Sequence, residues 1–384
     1  MTRIGFAYNQ KPETVVGLES ATPDEVRADE EPPSNSDVYA EWDSVETLAA
    51  VATALSAYGD VIPLEATQDF PERLRSERPD IVFNIAEGLH GTNREGHVPA
   101  ICEFFDVPYS GSDPFTLALC LHKARTKDFL TAHGIPNAPY TLIESASDLE
   151  RLVSGQSPFA ARLSSQAPLF LKPVHEGSSK GITERNLVRS RDELETQGRF
   201  LLDTYDQPVI AEEFLPGAEF TCGVLGNGST ARVLPLVAIN FRSLPQGAVP
   251  IYGYEAKWIW DTPSDPLDIF ECPARIDRRL GAAIEDVVLR AYRVLGCRDW
   301  SRIDVRLDAN GVPNIVEVNP LPGILPNPED NSCLPKAARA AGLSYDQLIQ
   351  GALVDAADRC GVALHPHHVR STSRVAPSLH AEVA

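Results

Sequence analysis

Apolar and polar positions change period several times along the 384 residues. Residues 3–8 form an apolar run that predicts a buried first strand. Residues 10–37 are acidic, rich in Pro and Ser and without period, which predicts a loop or mobile flap. The pattern then predicts a helix over 37–58, with Asp37 as its N-cap and Gly59 as its stop. Strands are predicted over 61–64 and 80–85, and a helix over 94–105. Such strand–helix alternation indicates an open parallel α/β unit. Ligands of these units sit beyond the carboxyl ends of the strands, and residues 84–96 follow one such end.

Further along, 113–133 reads as helical and is broken by Gly134-Ile135-Pro136. Residues 146–166 are polar and irregular in period. A strand is predicted over 168–173, a helix over 190–205, and several strand-like runs between 209 and 240. A loop over 241–270 precedes a long amphipathic helix over 275–296, a hairpin over 301–318, and a largely helical stretch over 333–361. At 384 residues the chain has room for two or three domains. A tail over 365–384, expected to be disordered, carries His365, His367, His368 and His380, too dispersed to be read as a metal site. The fold class is therefore α/β and α+β.

Composition is that of an ordinary globular protein, with 43% hydrophobic and 23% charged residues. The net charge of −20 disfavours nucleic acid and anionic membrane as partners. Seven cysteines, odd in number and without a Cys-x-x-Cys pair, argue against a disulfide framework or zinc site and fit a reducing compartment. No signal peptide and no membrane-length apolar run is recognisable. A cytoplasmic location is expected.

Residues 299–323 carry the densest chemistry. Arg302 and Asp304 are two apart in one alternating run, Glu317 and Asn319 two apart in another, and Asn310-Gly311 between them signals a hairpin turn. Residues two apart on a strand share a face. Antiparallel pairing would gather an arginine, two carboxylates and an amide oxygen on one surface. Hard oxygen ligands of this kind suit Mg²⁺, and an arginine beside them suits a developing anion.

Other segments carry matching pieces. An apolar strand delivers Lys172 into a loop containing Gly177, Ser178, Ser179 and Gly181, whose backbone N–H groups and hydroxyls can approach phosphate. The spacing is not that of a Walker loop. A second strand runs into Glu212, Glu213 and Leu215, then a Pro-Gly turn and Glu219. A carboxylate at 212 can accept from an amino group, and one at 219 from hydroxyls. Lys123 and Lys127 are four apart, on one helix face. His90 lies in a glycine-rich loop after a predicted strand, a placement that favours function.

Together, in this order, these motifs resemble the D-alanine–D-alanine ligase family of the ATP-grasp superfamily, over residues 80–345. The resemblance implies a three-domain ATP-grasp fold, with an N-terminal open parallel α/β domain over 1–112, a central ATP-grasp subdomain over 113–208 and a C-terminal one over 209–364. It implies an enzyme that passes the γ-phosphate of ATP to a carboxylate and lets an amine displace phosphate, leaving an amide and ADP. ATP and Mg²⁺ (with Mn²⁺ as a substitute) are the implied cofactors, and two small molecules, a carboxylate and an amine or amino acid, the implied partners. A homodimer is compatible with it.

By the same resemblance, Lys123 and Lys172 correspond to phosphate-contacting lysines, and Ser178 and Ser179 to the phosphate loop. Glu212, Glu213 and Leu215 correspond to the adenine segment, Glu219 to the ribose contact, and Lys257 to a further nucleotide contact. Asp304, Glu317 and Asn319 correspond to metal ligands, and Arg302 and Gly323 to the groups around the acyl phosphate. His90 belongs to the His-Gly loop, and Ser332 resembles the serine that holds the second substrate's carboxylate. Four departures touch the substrate pockets. Arg94 stands where the family usually has glycine, and Trp258 where it usually has tyrosine. The N-terminal glutamate that binds a substrate ammonium has no aligned counterpart, since Glu41 and Glu46 are out of register. The segment 323–332 is long. The expectation is a ligase with altered substrate pockets. The alternatives are a genuine D-alanine–D-alanine ligase, a bicarbonate-activating carboxylase and a non-catalytic nucleotide-binding module.

Overall fold

A computed structural model describes residues 2–12, 38–163, 167–253, 255–260 and 267–366, without the Trp258 side chain. The predicted loop over 10–37 and the tail over 365–384 fall almost wholly outside the described residues.

Among those residues the strands form three sheets. The first holds β1 (Thr2–Tyr8), β2 (Gly59–Glu65) and β3 (Ile81–Asn84), parallel and in the order β2-β1-β3. This is the open unit expected from the sequence. Gly59 begins β2 rather than ending a helix. A Cβ there would lie 2.0 Å from the Thr2 carbonyl oxygen, so only glycine fits this close strand pairing.

The helix predicted over 37–58 is shorter, Val45–Leu55. Ser44 caps it by accepting from the Thr47 amide, and Asp37 lies outside the described residues. Residues 38–43 form a turn instead, tied down by the Asp43 amide donating to the Asn9 carbonyl and by Trp42 Nε1 donating to the Gly88 carbonyl at 3.0 Å.

The second sheet holds β4 (Tyr140–Ile143), β5 (Leu169–Pro173), β6 (Leu187–Val188) and β7 (Val209–Glu213), ordered β4-β7-β5-β6. Strand β7 thus lies in the central unit, so the division expected at 208/209 shifts past Glu213. Helix Arg191–Tyr205, capped by Ser190, backs this sheet. So does Ala146–Val153, a helix in a stretch read as aperiodic. Its buried residues are only Leu149 and Leu152, too sparse a stripe to read against Ser, Asp and Glu.

The third sheet holds β8 (Glu219–Leu225), β9 (Arg232–Val233), β10 (Val237–Ile239), β11 (Phe270–Glu271), β12 (Trp300–Leu307) and β13 (Pro313–Asn319). Its core path runs β11-β10-β8-β12-β13, with β9 on β8. Helix Arg278–Leu295 covers one face through Ile284, Val287, Val288, Ala291 and Leu295.

Helix Tyr345–Cys360 opens on a Ser344/Gln347 capping box. It packs Leu348, Ile349, Ala352 and Leu353 against Leu48, Val51 and Leu55 of the first helix, joining the N- and C-terminal units in one core. Asp299, fully buried, reinforces the joint by accepting from the Gly111 amide, Asn227 Nδ2 and Arg359. No helix among the described residues is long and apolar enough to cross a membrane.

Candidate active site

The predicted hairpin forms as β12 and β13, antiparallel. Asp308 Oδ1 accepts from the amides of Asn310 and Val312, and Gly311 takes φ +77° to close the turn. The register places Arg302 opposite Asn319 and Asp304 opposite Glu317. On the other side of β12, Asp304 pairs with Thr221 and Arg306 with Glu219 of β8. One face therefore carries Glu219, Thr221, Arg302, Asp304, Arg306, Glu317 and Asn319.

Contacts on this face order the carboxylates. Asp304 accepts from Thr221 Oγ1 at 2.9 Å, from Arg302 Nη2 at 3.1 Å and from Asn319 Nδ2 at 3.5 Å. Burial pushes the Asp304 carboxyl up, against the pull of Arg302. Glu219 pairs with Arg306 at 2.6 Å, and Arg306 also donates to the Pro250 carbonyl and lies 4.5 Å from the Phe214 ring centre.

Opposite this face stands the central unit, and a cleft of about 760 Å³, solvent mouth included, separates them. Its polar walls include Lys123, Lys172, Ser179, Glu212, Glu213, Glu219 and Glu317. Its apolar walls include Phe170, Ile182, Phe214, Leu215, Ile251 and Val316. A flat ring could lie between the apolar walls, with charged groups at one end.

Lys123 starts the helix Lys123–Ala132 and bridges the cleft to Glu317 at 2.8 Å. Burial would raise the Glu317 carboxyl, but Lys123 and Lys172 outweigh it and hold it low. Glu212 is gripped by Lys172 and, at 2.8 Å, by Lys127. Against its burial, these two cations hold it at about 2. Lys127 is thus a buried partner of the site, not a solvated face. Glu213 pairs with Arg162 at the rim.

The phosphate-loop candidate turns sharply. Ser178 and Ser179 have φ of +49° and +62°, uncommon for residues with a Cβ. Ser179 Oγ donates to the Tyr252 carbonyl, so that hydroxyl holds the loop. Glu41 reaches in from the 38–43 turn. Its Oε1 accepts from the Gly177 amide at 2.9 Å, and its Oε2 from Lys180 at 3.1 Å and Arg94 at 3.0 Å. A Cβ on residue 177 would lie 2.6 Å from that Oε1 and would displace the carboxylate from this contact.

His90 is exposed on its loop. Gly323 is exposed, and its carbonyl accepts from Ser332 Oγ at 3.3 Å. Ser332 is buried, and its Oγ also accepts from the Leu325 amide. Lys257 lies in the π-helical turn Glu255–Trp260. Burial and the nearby Arg302 bring its ammonium down to about 8. The expectation for Trp258 concerns a side chain outside the described ones.

Lys180 and Arg306 were not singled out from sequence, and Glu41 was set aside as out of register, yet it reaches the Gly177–Lys180 loop. Arg306 was readable, two residues past Asp304 on the same face. Glu41 was not, because its partners lie 53 to 139 residues away.

Residues 129–354 match the family described as D-ala D-ala ligase C-terminus. A D-alanine–D-alanine ligase of Cupriavidus taiwanensis is 33% identical over 291 residues, 75% of this chain and 78% of its own length. The chain belongs to the D-alanine–D-alanine ligase family. Another ligase of that name, from Mannheimia succiniciproducens, is 35% identical over 301 residues, 78% of this chain and 88% of its own length. A solved D-alanine–D-alanine ligase of Bacillus anthracis complexed with ATP shares the fold at TM-score 0.61 and 20% identity, over 94% of this chain and 99% of that one. Membership makes the protein an ATP-dependent ligase that forms a carbon–nitrogen bond and releases ADP, and it brings a divalent metal requirement. The carboxylase and non-catalytic alternatives are not favoured.

Proposed function

We propose that this ligase activates a carboxylate as its acyl phosphate and joins it to an amino acid, with a donor other than D-alanine. The observation that carries the chemistry is the β12–β13 register, which faces Arg302, Asp304, Glu317 and Asn319 toward Lys123 and Lys172 across one cleft.

The adenine would lie between Phe170, Ile182, Phe214 and Leu215, with the phosphates toward Lys123 and Lys172. Asp304, Glu317 and Asn319 would hold Mg²⁺, or Mn²⁺ in its place. Two carboxylates and one amide suit an ion that completes its shell with phosphate oxygens and water. The metal would neutralise phosphate charge.

A donor carboxylate oxygen attacks the γ-phosphorus, the bond to the β-phosphate oxygen breaks, and ADP leaves. Arg302 would stabilise the equatorial oxygens. The acceptor amine then attacks the acyl carbon. Its C–O bond to phosphate breaks, and the nitrogen gives up a proton.

The relatives' names favour a second reading, D-alanine as both donor and acceptor. Arg94 and Trp258 argue for a different donor. A phosphate-release screen at fixed ATP and Mg²⁺, across paired amino acids and small carboxylates, tests this. Efficient turnover with D-alanine alone would overturn the altered-donor reading.

A further inference from the structure

A donor's carboxylate must come to the γ-phosphate, next to the loop carrying Gly177–Lys180. Its α-substituent, one bond away, then falls beside whatever lines that loop. Two carboxylates do so, and both are engaged. Glu41 Oε1 accepts from Arg94 at 3.1 Å and from the Gly177 amide at 2.9 Å. Its Oε2 accepts from Arg94 at 3.0 Å and from Lys180 at 3.1 Å. Glu176 pairs with Lys180 at 3.1 Å and accepts from Gln207 at 2.8 Å. The side chains of Glu41 and Arg94 are each only 6% exposed.

An ammonium entering such a place needs an anion with an open lone pair. Glu41, saturated and buried, offers none, and at Glu176 the cations Lys180 at 3.1 Å and Arg94 at 3.9 Å already stand beside the carboxylate, so the approach of a third cation is repulsive. Neighbouring acids do not make up the deficit. Burial pushes the Glu87 carboxyl well up, and it brings that of Glu95 to about 8, which leaves Glu95 largely protonated near neutral pH. Lys257 and Arg302 add positive charge on the far side.

We infer that Arg94 determines specificity by occupying Glu41, so that the activated donor is an acid without an α-ammonium, such as a 2-hydroxy acid or an N-acylated or unsubstituted carboxylic acid. This rests on the ligase reading above and names its donor class. Arg94 acts here as a positioning residue, through Glu41.

Hydroxylamine trapping of the acyl phosphate tests it, because the hydroxamate reports the donor without any acceptor. The full chain is given ATP, Mg²⁺ and side-chain-matched donors in both enantiomers: alanine and lactate, valine and 2-hydroxyisovalerate, phenylalanine and phenyllactate. The wild type should favour the hydroxy acid in the preferred pair by at least about tenfold in kcat/KM. Arg94→Gln should shrink that ratio at least about tenfold, and Arg94→Lys should keep most of it. Both donors are measured on one preparation, so partial unfolding cancels. A wild type that prefers the amino acid overturns the inference even if no Arg94→Gln protein can be made. An unmoved ratio in Arg94→Gln overturns it too. ATP-dependent hydroxamate from amino acids alone would leave the ligase reading standing, whereas none from any acid would remove both.

Discussion

Asp304 and Glu317 face each other across the β12–β13 hairpin, and each is held by a cation, Arg302 from the same strand and Lys123 from the central unit. A local cation thus offsets the charge of each carboxylate. If the pair holds the metal as proposed, Lys123 would exchange Glu317 for phosphate when Mg-ATP binds.

Asp304→Asn and Glu317→Gln should therefore each lower kcat by at least about 100-fold, since metal charge stabilisation is worth several kcal/mol. Far-UV circular dichroism should stay unchanged. Activity within about threefold of wild type in both would reduce the hairpin to a structural role.

Glu212 sits between Lys127 and Lys172, all three buried. Removing one member of such a group costs about 3–5 kcal/mol. Lys127→Ala should lower the urea midpoint markedly. Glu212→Gln should lower it further, because both lysines then lose their carboxylate, whereas Lys127→Ala leaves Glu212 paired with Lys172. Glu212 is held at about 2, below its unfolded value of roughly 4.3. Its stabilising share is present above pH ~4.3 and fades as pH falls toward 2.

Glu95 has the opposite sign. Burial, reinforced by Glu41, pushes its carboxyl up to about 8. Between about pH 4.3 and 8 the folded chain keeps a proton that the unfolded chain releases, so stability falls as pH rises through that window. Glu95→Gln, neutral and isosteric, should melt a few degrees higher than wild type at pH 8 and near wild type at pH 4. Parallel melting curves for the two proteins across that range would contradict the shift.

An acyl phosphate leaves a mark on oxygen. With the donor carboxylate labelled with ¹⁸O, one label should end in inorganic phosphate, read by mass spectrometry. Unlabelled phosphate would mean that the donor oxygen never bonded to phosphorus.

Ser332 Oγ ties Leu325 to Gly323. If the acceptor's carboxylate also reaches it, Ser332→Ala should raise acceptor KM about tenfold while ATP KM moves less than about twofold. An equal rise in both would make its role one of loop shape.

The hairpin and the face it presents were legible because they rest on local rules. Period two and Asn310-Gly311 fix the hairpin, and Ser190 opens the helix predicted over 190–205 where the structure has it. The substrate side rests on long-range placement. The segment around Glu41 reads as helix by composition, yet Ser44 captures the cap and leaves 38–43 as a turn. What that turn touches is set by how the units pack. Burial of Lys127 was hidden for the same reason, since Glu212 stands 85 positions away along the chain (212 − 127).

The Glu41–Gly177 contact spans 136 positions along the chain and has a consequence for taking the protein apart. A chain begun at residue 113 would keep both sheets that flank the cleft, yet its Gly177–Lys180 turn would lack its anchor. Such a fragment should still hold adenine between the apolar walls while leaving the terminal phosphate poorly gripped. Supplying residues 1–112 as a separate piece should restore that grip in trans, making competence a property of reassembly.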